Sequence, residues 1–444
     1  MQFIQILIIL SILVLIHELG HYTFARIFGI KIDKFYLFFD AGGLRLFSTR
    51  SEWFLKICPK AAEWETEYGI GWLPLGGYCK VNGMIDESMD TGHLKEEPKP
   101  WEFRSKPAWQ RLLVMIGGIL FNFILGIALF WFSLQKWGDA YIQADITPIY
   151  VYEDSLGDAM GFKTGDRILA LDGEKPVDLW RVQPDIARNF VDKVTVSRGE
   201  DTLDIHIDHK YIGDLLSTTL FEAAVPYIIV DIKEDSPNNA SGLLPGDRII
   251  SIDSTAITYV QEAIPIQKKH AGEQVEVTVL RDSVMHTMLL SLDDKGSLDV
   301  YYTWPNVVSL EYSLLEAIPA GFRKAYQATT DQVKDLRLLA MPSTGAYKSV
   351  GSVIAIADAM PETWNWHVFI NMLAMLSIIL GVMNLLPIPA LDGGHIVFTL
   401  YEMVTGRKPS DKFLLVTQII GMIIIFGLMF LAFGNDISRI INKL

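Results

Sequence analysis

A short pattern near the start of the chain carries the residues best suited to chemistry. His17, Glu18 and His21 form the pattern His-Glu-x-x-His. On a helix, side chains four residues apart lie on one face, so both imidazoles can reach one metal ion. Zinc is the metal that this pattern favours, and the glutamate between the histidines can take a proton from the attacking water. The pattern therefore predicts a hydrolytic zinc site.

This pattern follows an almost unbroken apolar run from Phe3 to Ile16. Run and motif together, residues 3–28, are long enough to cross a bilayer. Ionisable residues inside a membrane span are costly, so their presence indicates function. A signal peptide is disfavoured because no Lys or Arg precedes the run and no small-residue cleavage site follows it. We therefore expect the hydrolytic site to lie within the membrane.

The remaining apolar residues concentrate in three further stretches that are long enough to span a membrane. These are 109–134, 366–387 and 413–433. Between the second and third lies a polar segment, 139–306, which holds 29 acidic and 14 basic residues. Its net charge of −15 exceeds the −14 of the whole chain, so the acidity belongs to this segment. Such a segment disfavours nucleic acid and anionic lipid as partners.

Basic residues near the span ends predict the orientation in the membrane. They follow the first span and precede the second: Arg26, Lys31, Lys34, Arg104, Lys106 and Arg111. By the positive-inside rule, segment 29–108 is cytoplasmic, and the acidic segment and both termini lie outside. Cys58 and Cys79 both fall in the cytoplasmic segment without CxxC spacing, which favours two reduced thiols.

The acidic segment contains an internal repeat. Residues 161–172 match residues 242–253 at a spacing of 81, each with a Gly-Asp turn that leads into an alternating strand. The repeated pattern resembles that of tandem PDZ domains, here at 139–220 and 221–306. Domains of that family bind extended peptides by adding a strand to a sheet edge. The resemblance implies that this segment handles substrate.

A second motif at the end of the third span can complete the metal site. A catalytic zinc usually takes three protein ligands and a water. After Asn384, Pro387 and Pro389 break the helix, and Asp392 follows directly. Irregular backbone at membrane depth is tolerated only inside protein or beside a water-filled cavity. This combination suits a loop that supplies a ligand.

The two distant motifs, with the PDZ-like pair between spans two and three, resemble the site-2 protease family of intramembrane zinc proteases. The resemblance is to its bacterial RseP-type group, the regulators of sigma-E proteases. It implies that His17, His21 and Asp392 bind zinc and that Glu18 is the base. It also covers the Gly-x-x-x-Asn pattern ending at Asn122, although Ile119 stands where many members have Pro.

Segment 69–81 resembles the membrane-associated β-loop of the same group, and its glycines and alternating side chains make it our candidate edge for pairing with an extended peptide. We expect a set of substrate-binding residues here and near the ligands. The set is Asn384, Asn122, Gly76, Gly77, Tyr78, Pro387 and Pro389. For Asn122, hydrogen bonding between helices is an equal alternative. His395 would close the water position as a fourth ligand, so we expect it to support the site from outside the ligand set.

The expected fold is an α-helical multi-pass membrane protein with about four spanning helices and two inserted extracytoplasmic, β-rich PDZ domains. The predicted segments are 1–28, 29–108, 109–134, 139–220, 221–306, 307–365, 366–395 and 413–433. Of these, 29–108 includes the β-loop, 307–365 is a juxtamembrane amphipathic segment, and 366–395 joins the third span to the ligand loop.

The expected function is intramembrane zinc endopeptidase in the bacterial inner membrane, with the active site toward the cytoplasm. By resemblance, the substrates are single-span regulators such as anti-sigma factors, first cut by a separate site-1 protease, and remnant signal peptides. The lipid bilayer surrounds the enzyme, and no nucleic acid is expected. One rival is an inactive scaffold that gathers partners through its PDZ pair. A transporter is the other, because broken helices also build substrate pathways.

Overall fold

The computed structural model describes residues 1–84 and 97–443, so residues 85–96 of the predicted cytoplasmic segment lie outside the described residues. The chain divides into two compact units. The first comprises residues 1–138, 311–336 and 350–444, and the second comprises 139–310 and 337–349.

Twelve α-helices are formed by the described residues. They are α1 Gln2–Ile27, α2 Glu52–Ile57, α3 Ala108–Trp137, α4 Leu156–Met160, α5 Leu179–Asn189, α6 Ile212–Leu215, α7 Val260–Lys269, α8 Ala317–Leu339, α9 Val353–Asp358, α10 Trp366–Asn384, α11 Asp392–Thr405 and α12 Asp411–Lys443.

The strands belong to several small sheets. They are β1 Ile32–Phe39, β2 Arg45–Ser48, β3 Glu67–Gly71, β4 Leu73–Val81, β5 Asp139–Ile142, β6 Ile149–Tyr150, β7 Arg167–Leu171, β8 Lys193–Arg198, β9 Asp201–His206, β10 Glu222–Ala223, β11 Ile229–Ile232, β12 Arg248–Ile252, β13 Thr255–Ala256, β14 Gln274–Arg281, β15 Val284–Ser291, β16 Val300–Tyr302 and β17 Val307–Leu310.

Four helices of the first unit are long and apolar enough to cross a membrane: α1, α3, α10 and most of α12. They coincide with the four predicted spans, which confirms that part of the expected fold. Helix α10 ends at Asn384, three residues before the predicted limit of 387. Its last carbonyls are taken up by a tight turn in which the Leu385 N–H contacts the Gly381 and Val382 carbonyls. Residues 385–391, which include Pro387 and Pro389, therefore form a loop between α10 and α11 in the first unit.

Helices α1 and α3 pack so closely that their backbones touch. A Cβ on Gly20 would lie 2.2 Å from the Gly117 carbonyl oxygen, and a Cβ on Gly117 would lie 2.6 Å from the Gly20 carbonyl oxygen. Small residues at a helix interface permit this approach, and in a bilayer it favours association through dispersion contacts. The consequence is that side chains of α1 near Gly20 lie directly against α3.

A four-stranded sheet follows α1, in the order β2-β3-β1-β4. Strand β4 is antiparallel to β1 and stands at one edge of the sheet, whereas β3 lies inside it. The predicted substrate edge at 69–81 is therefore corrected: residues 69–71 belong to the inner strand β3, and only 73–81 form the edge. Gly69 is needed there because a Cβ would lie 2.3 Å from the Tyr36 ring.

Helix α11 is tied to the start of α3 by an ion pair. The Arg111 guanidinium donates to the Glu402 carboxylate, and the Arg111 Nε donates to the Lys106 carbonyl at 3.1 Å. Both side chains of the pair are largely buried, at 9% and 19% exposure. Because each charge would be costly without its partner, the pair restricts α11 to one position against α3. Helix α11 begins at Asp392, so this contact also helps to position the predicted ligand.

The second unit contains two separate β-rich cores that correspond to the sequence repeat. In the first core, Arg198 of β8 binds the buried Asp166 with two nitrogens at 2.8 Å. In the second, Arg281 of β14 binds the buried Asp247 with two nitrogens at 2.7 Å. Burial alone would raise the pKa of Asp247, but the bonds from Arg281 outweigh it and lower that pKa. The repeated aspartates thus stabilise the turns, a structural role.

The two cores do not divide where the sequence predicts. Phe221 and Ala223 pack in the first core, and the second begins with Val225, so the change lies a few residues after the predicted limit of 220. Leu338 and Ala346 also pack in the first core, although the pattern assigns them to the juxtamembrane segment. These contacts join residues far apart in sequence, which periodicity cannot reveal.

Candidate metal centre

Three predicted ligands meet at one point in the first unit. The Nε2 atoms of His17 and His21 are 3.3 Å apart. Asp392 Oδ2 lies 3.3 Å from His17 Nε2 and 3.4 Å from His21 Nε2. Among the residues that the structure describes, these three form the one group of His, Cys, Asp and Glu with ligand atoms within 4.8 Å of one another. Helix α1 thus supplies two nitrogens and the start of α11 supplies one oxygen.

Each histidine is oriented through its other ring nitrogen. His21 Nδ1 lies 2.8 Å from the Val114 carbonyl oxygen, and His17 Nδ1 lies 3.1 Å from the Asn122 side-chain amide. Both partners belong to α3. When Nε2 binds a metal, Nδ1 carries the proton and needs an acceptor. The Val114 carbonyl is one. The Asn122 atom that lies 3.1 Å from His17 Nδ1 is the amide nitrogen Nδ2, and a rotation of this amide by about 180° would bring the acceptor Oδ1, a buried atom without a hydrogen-bond partner among the described residues, to His17.

A glycine of α3 makes room for the two rings. A Cβ on Gly118 would lie 2.6 Å from His21 Nε2 and 2.7 Å from His17 Cε1. Such distances are far shorter than ordinary contacts, so any side chain at this position would displace the imidazoles. The Gly-x-x-x-Asn pattern therefore has a local explanation: its glycine accommodates both rings and Asn122 orients one of them.

The loop between α10 and α11 is compact because two glycines follow Asp392. A Cβ on Gly393 would lie 2.1 Å from the Leu386 carbonyl oxygen, and a Cβ on Gly394 would lie 2.4 Å from the Pro389 Cα. The loop therefore folds back onto the first turn of α11. Asp392 occupies the first helical position, where a carboxylate is stabilised by the helix dipole.

The three ligands fit a zinc ion on two observations. Asp392 Oδ2 is buried and has no hydrogen-bond donor among the described residues, which is costly for a carboxylate oxygen without a bound cation. The separations of 3.3–3.4 Å among the ligand atoms match the edge of about 3.3 Å expected for a tetrahedron with ligands about 2.0–2.1 Å from zinc. Two imidazoles and a carboxylate are also a usual zinc donor set.

The ligands open into a cavity of about 310 Å³. Glu18 lines it beside His17 and His21, and the Cys79 backbone N–H donates a hydrogen bond to the Glu18 carboxylate. Strand β4 forms one wall, from Tyr78 to Val81. A proton acceptor, a metal-binding group and a strand at a sheet edge therefore line one cavity.

The predicted substrate residues fall into two groups. Tyr78 and Asn384 line the cavity. The structure does not include the other five among the lining residues: Asn122, Gly76, Gly77, Pro387 and Pro389. Asn122 of α3 contacts His17 of α1 at 3.1 Å, which is a hydrogen bond between helices, the alternative to substrate binding that the sequence left open.

Gly77 has a packing reason instead of a cavity contact. A Cβ there would lie 2.7 Å from the Tyr36 carbonyl oxygen and 2.7 Å from Val14 of α1. Gly76 adopts a φ of 154°, and a Cβ would lie 2.8 Å from the Phe39 ring. Both glycines therefore permit β4 to approach α1 and β1, which brings Tyr78 to the cavity. His395 also lines the cavity but is not part of the ligand group.

A polar cluster on β1 and β4 borders the cavity. Lys34 Nζ lies 2.8 Å from Asp40 Oδ2, and the Tyr78 hydroxyl donates to Asp40 Oδ1 at 2.9 Å. Burial and this bond raise the pKa of Tyr78, so the phenol remains a neutral donor. Burial opposes ionisation of Asp40, but the bonds from Lys34 and Tyr78 lower its pKa. The cluster thus favours the ionised form of Asp40 in the lining of the cavity.

A comparison with protein-family models decides the classification. The model described as Peptidase family M50 matches residues 5–428, nearly the whole chain. The chain belongs to peptidase family M50. With its four membrane-length helices, this M50 peptidase is an integral membrane metalloprotease.

Relatives cover almost the full length of the chain. "Regulator of sigma-E protease RseP" of Salmonella typhimurium is 25% identical, with 98% of each chain covered. "Regulator of sigma E protease" of Haemophilus influenzae is 26% identical, also with 98% of each covered. "Putative zinc metalloprotease" of Vibrio cholerae is 27% identical, with 99% of each covered. The expected resemblance is thereby confirmed.

The structure adds site residues that the sequence reading missed. The Val114 carbonyl and the Cys79 N–H are backbone groups, and no side-chain pattern identifies them. Gln418 of α12 also lines the cavity, at 3% exposure. It carries a signal in the sequence, since it is a polar side chain inside the apolar stretch 413–433.

We predict that Gly118→Ala sharply lowers zinc content and peptidase activity, because its methyl group would occupy space that the two imidazoles need. Zinc per protein in the purified enzyme, measured by mass spectrometry, checks this. Gly427→Ala is the matched control, since a Cβ on Gly427 of α12 meets nothing within 4 Å. Equal zinc content in both variants would contradict the packing argument.

We also predict that two changes at Asn122 differ in their effect on zinc affinity. Asn122→Leu removes the acceptor for His17 Nδ1–H and should weaken zinc binding about 10- to 100-fold. Asn122→Asp retains an acceptor oxygen and should bind zinc close to the wild-type level. Competition against a chelator of known zinc affinity measures both. Equal losses in the two variants would show that volume, and not the acceptor, matters here.

Proposed function

We propose that this M50 peptidase is a zinc-dependent endopeptidase that cleaves peptide bonds within transmembrane segments of single-span membrane proteins. The observation that carries the proposal is the meeting of His17, His21 and Asp392 beside Glu18 in a cavity built from membrane-length helices. A soluble zinc protease would have no need for such helices at its ligands. A site with all ligands and the base intact does not favour the inactive scaffold.

The chemistry divides between the metal and the chain. Bound zinc, held by His17, His21 and Asp392, would polarise the scissile carbonyl and lower the pKa of the attacking water. Glu18 takes the proton of that water and delivers a proton to the leaving amine. The Cys79 N–H holds the Glu18 carboxylate toward the cavity, so the base is pre-positioned. Asn384, which lines the same cavity, is suited to donate to the substrate carbonyl oxygen.

Strand β4 is proposed to bind the substrate backbone. A peptide in a membrane helix must unwind before its amide is accessible, and each freed N–H and C=O then needs a partner. Strand addition at a sheet edge supplies such partners. Strand β4 stands at the edge of its sheet, and its residues Tyr78 to Val81 line the cavity. The cleaved bond would therefore lie in an extended segment along β4.

The proposed orientation places the cavity toward the cytoplasmic side of a bacterial inner membrane. The basic residues that end α1 and precede α3 support this by the positive-inside rule. The second unit is then extracytoplasmic, and its two β-rich cores with the repeated Gly-Asp turn are proposed to be PDZ domains. Their acidic surface and separate cores suit a role in selecting substrates and not in catalysis.

The proposed substrates are regulators of the anti-sigma-factor type, after a first cut by a separate site-1 protease, and remnant signal peptides. Support comes from relatives named as regulators of sigma E protease. A first cut would remove the bulky outer part of the substrate. The second unit would then admit only the shortened product.

The central test is Glu18→Gln. This change should leave zinc bound and lower kcat for a single-span model substrate by about 100-fold or more, because the proton acceptor is lost. Cleavage is measured with purified enzyme in proteoliposomes, with Glu63→Gln, an exposed acidic position, as control. Retained turnover in Glu18→Gln would refute the role of Glu18 as the proton acceptor.

Asp392→Asn tests the third ligand. An amide oxygen is a weaker zinc ligand than a carboxylate, so zinc per protein should fall together with activity. Asp358→Asn, at an exposed position of α9, is the control and should keep its zinc. Full zinc content in Asp392→Asn would mean that the third ligand lies elsewhere.

Replacing residues 139–310 by a short Gly/Ser linker tests the selection role. Asp139 and Leu310 are register partners of β5 and β17, so a short linker can join the flanking residues. The variant should cleave full-length precursors that the wild-type enzyme leaves intact. Cleavage of an already shortened substrate is the control for folding. Precursors that remain resistant would refute the selection role.

A further inference from the structure

A glutamine of the last spanning helix faces the active-site cavity. Gln418 of α12 is 3% exposed and lines the cavity with Ala390, Leu391 and Asp392. Most of α12 is exposed to its surroundings, since only 11% of its most apolar stretch is buried. A buried amide on a helix that is otherwise mostly exposed and apolar is costly, so it calls for a specific role.

The close approach of α12 to the ligand loop explains how Gln418 reaches the cavity. A Cβ on Gly421 would lie 2.5 Å from the Ala390 backbone nitrogen and 3.2 Å from the Pro389 carbonyl carbon. Gly421 therefore lets the helix backbone rest on the loop. Gln418 lies three residues earlier, on the same face of the helix. It is thereby directed to the side of the loop that carries Asp392.

A structural role for this amide has no support among its neighbours. Glutamines in spanning helices commonly bond to another helix. In the described part of the chain, the Gln418 side chain makes no hydrogen bond to another residue, and neither does the Asn384 side chain. Both amides line the cavity, which β4 borders with Tyr78 to Val81. Two side-chain amides from α10 and α12 thus share one cavity with a sheet edge.

We propose that Gln418 is a substrate-binding residue that hydrogen-bonds the backbone of the unwound peptide in the cavity. This inference rests on the proposed function. The N–H and C=O groups of an extended chain point alternately to its two sides, so pairing with β4 satisfies only one side. Little water is present at membrane depth to satisfy the other. Gln418 both donates and accepts, so with Asn384 it can serve these remaining groups whatever the substrate sequence.

Kinetics of Gln418→Met test the proposal, because Met keeps the size of the side chain and removes its hydrogen bonds. We expect KM for a single-span substrate to rise roughly tenfold, the loss of one to two hydrogen bonds, with zinc content unchanged. Gln418→Asn keeps the amide and should recover part of the loss. Thr417→Val is the control, since the Thr417 hydroxyl bonds within its own helix at the Phe413 carbonyl. An unchanged KM in Gln418→Met, or an equal effect of Thr417→Val, would overturn the proposal.

Photocrosslinking tests contact without relying on turnover. A photoreactive phenylalanine analogue at position 418, in the Glu18→Gln background, should crosslink to the transmembrane segment of the substrate. The same analogue at position 419, which is 41% exposed, should not. A substrate that crosslinks equally at both positions, or at neither, refutes the proposed role of Gln418. The cleavage assay of wild type against Glu18→Gln judges the proposed function separately, so the two failures are distinguishable.

Discussion

The close contact between α1 and α3 is the constraint on which the active site depends. At Gly20 and Gly117 the two backbones touch, so the two ligands that α1 supplies, His17 and His21, lie directly against α3. Helix α3 can then supply both partners for the outer ring nitrogens, one from its backbone and one from Asn122. Because the bilayer offers no water to replace such partners, a wider spacing would leave the imidazoles without orientation. The helix pair is thus the support of the metal centre as well as a packing interface.

The third ligand, Asp392, follows a loop whose shape depends on glycine residues. Gly393 and Gly394 let the loop after α10 fold onto the first turn of α11, and Gly421 lets α12 rest on the same loop. Asp392 therefore faces α1 from the first turn of α11. The close backbone contacts at these three glycines and the Arg111–Glu402 ion pair hold that turn in place. Rigid support of this kind keeps a ligand at the distance that zinc requires.

The second unit is stabilised by its own two hydrophobic cores and not by packing of membrane-length helices. Each of its two cores has an aspartate in a Gly-Asp turn, bound by an arginine of the strand that pairs with the strand after the turn, and none of these four residues lines the cavity of the metal ligands. A module built around its own cores can select substrates without any change to the metal ligands. In the proposed function, the division of the chain would separate hydrolysis in the unit with the membrane-length helices from substrate selection by the acidic second unit.

The sequence by itself determined the four spans, the ligand set as a hypothesis and the repeat, because apolar run length, helical spacing and self-similarity are local properties. It also predicted a sheet edge within 69–81, and β4 is an edge strand, but residues 69–71 belong to an inner strand. Only the tertiary structure decided that Asn122 faces His17, that Gly77 serves packing, and that Gln418 reaches the cavity. Each of these depends on which surfaces of distant helices and strands meet, and that is settled by packing and by the pairing of buried polar groups, which no local pattern encodes.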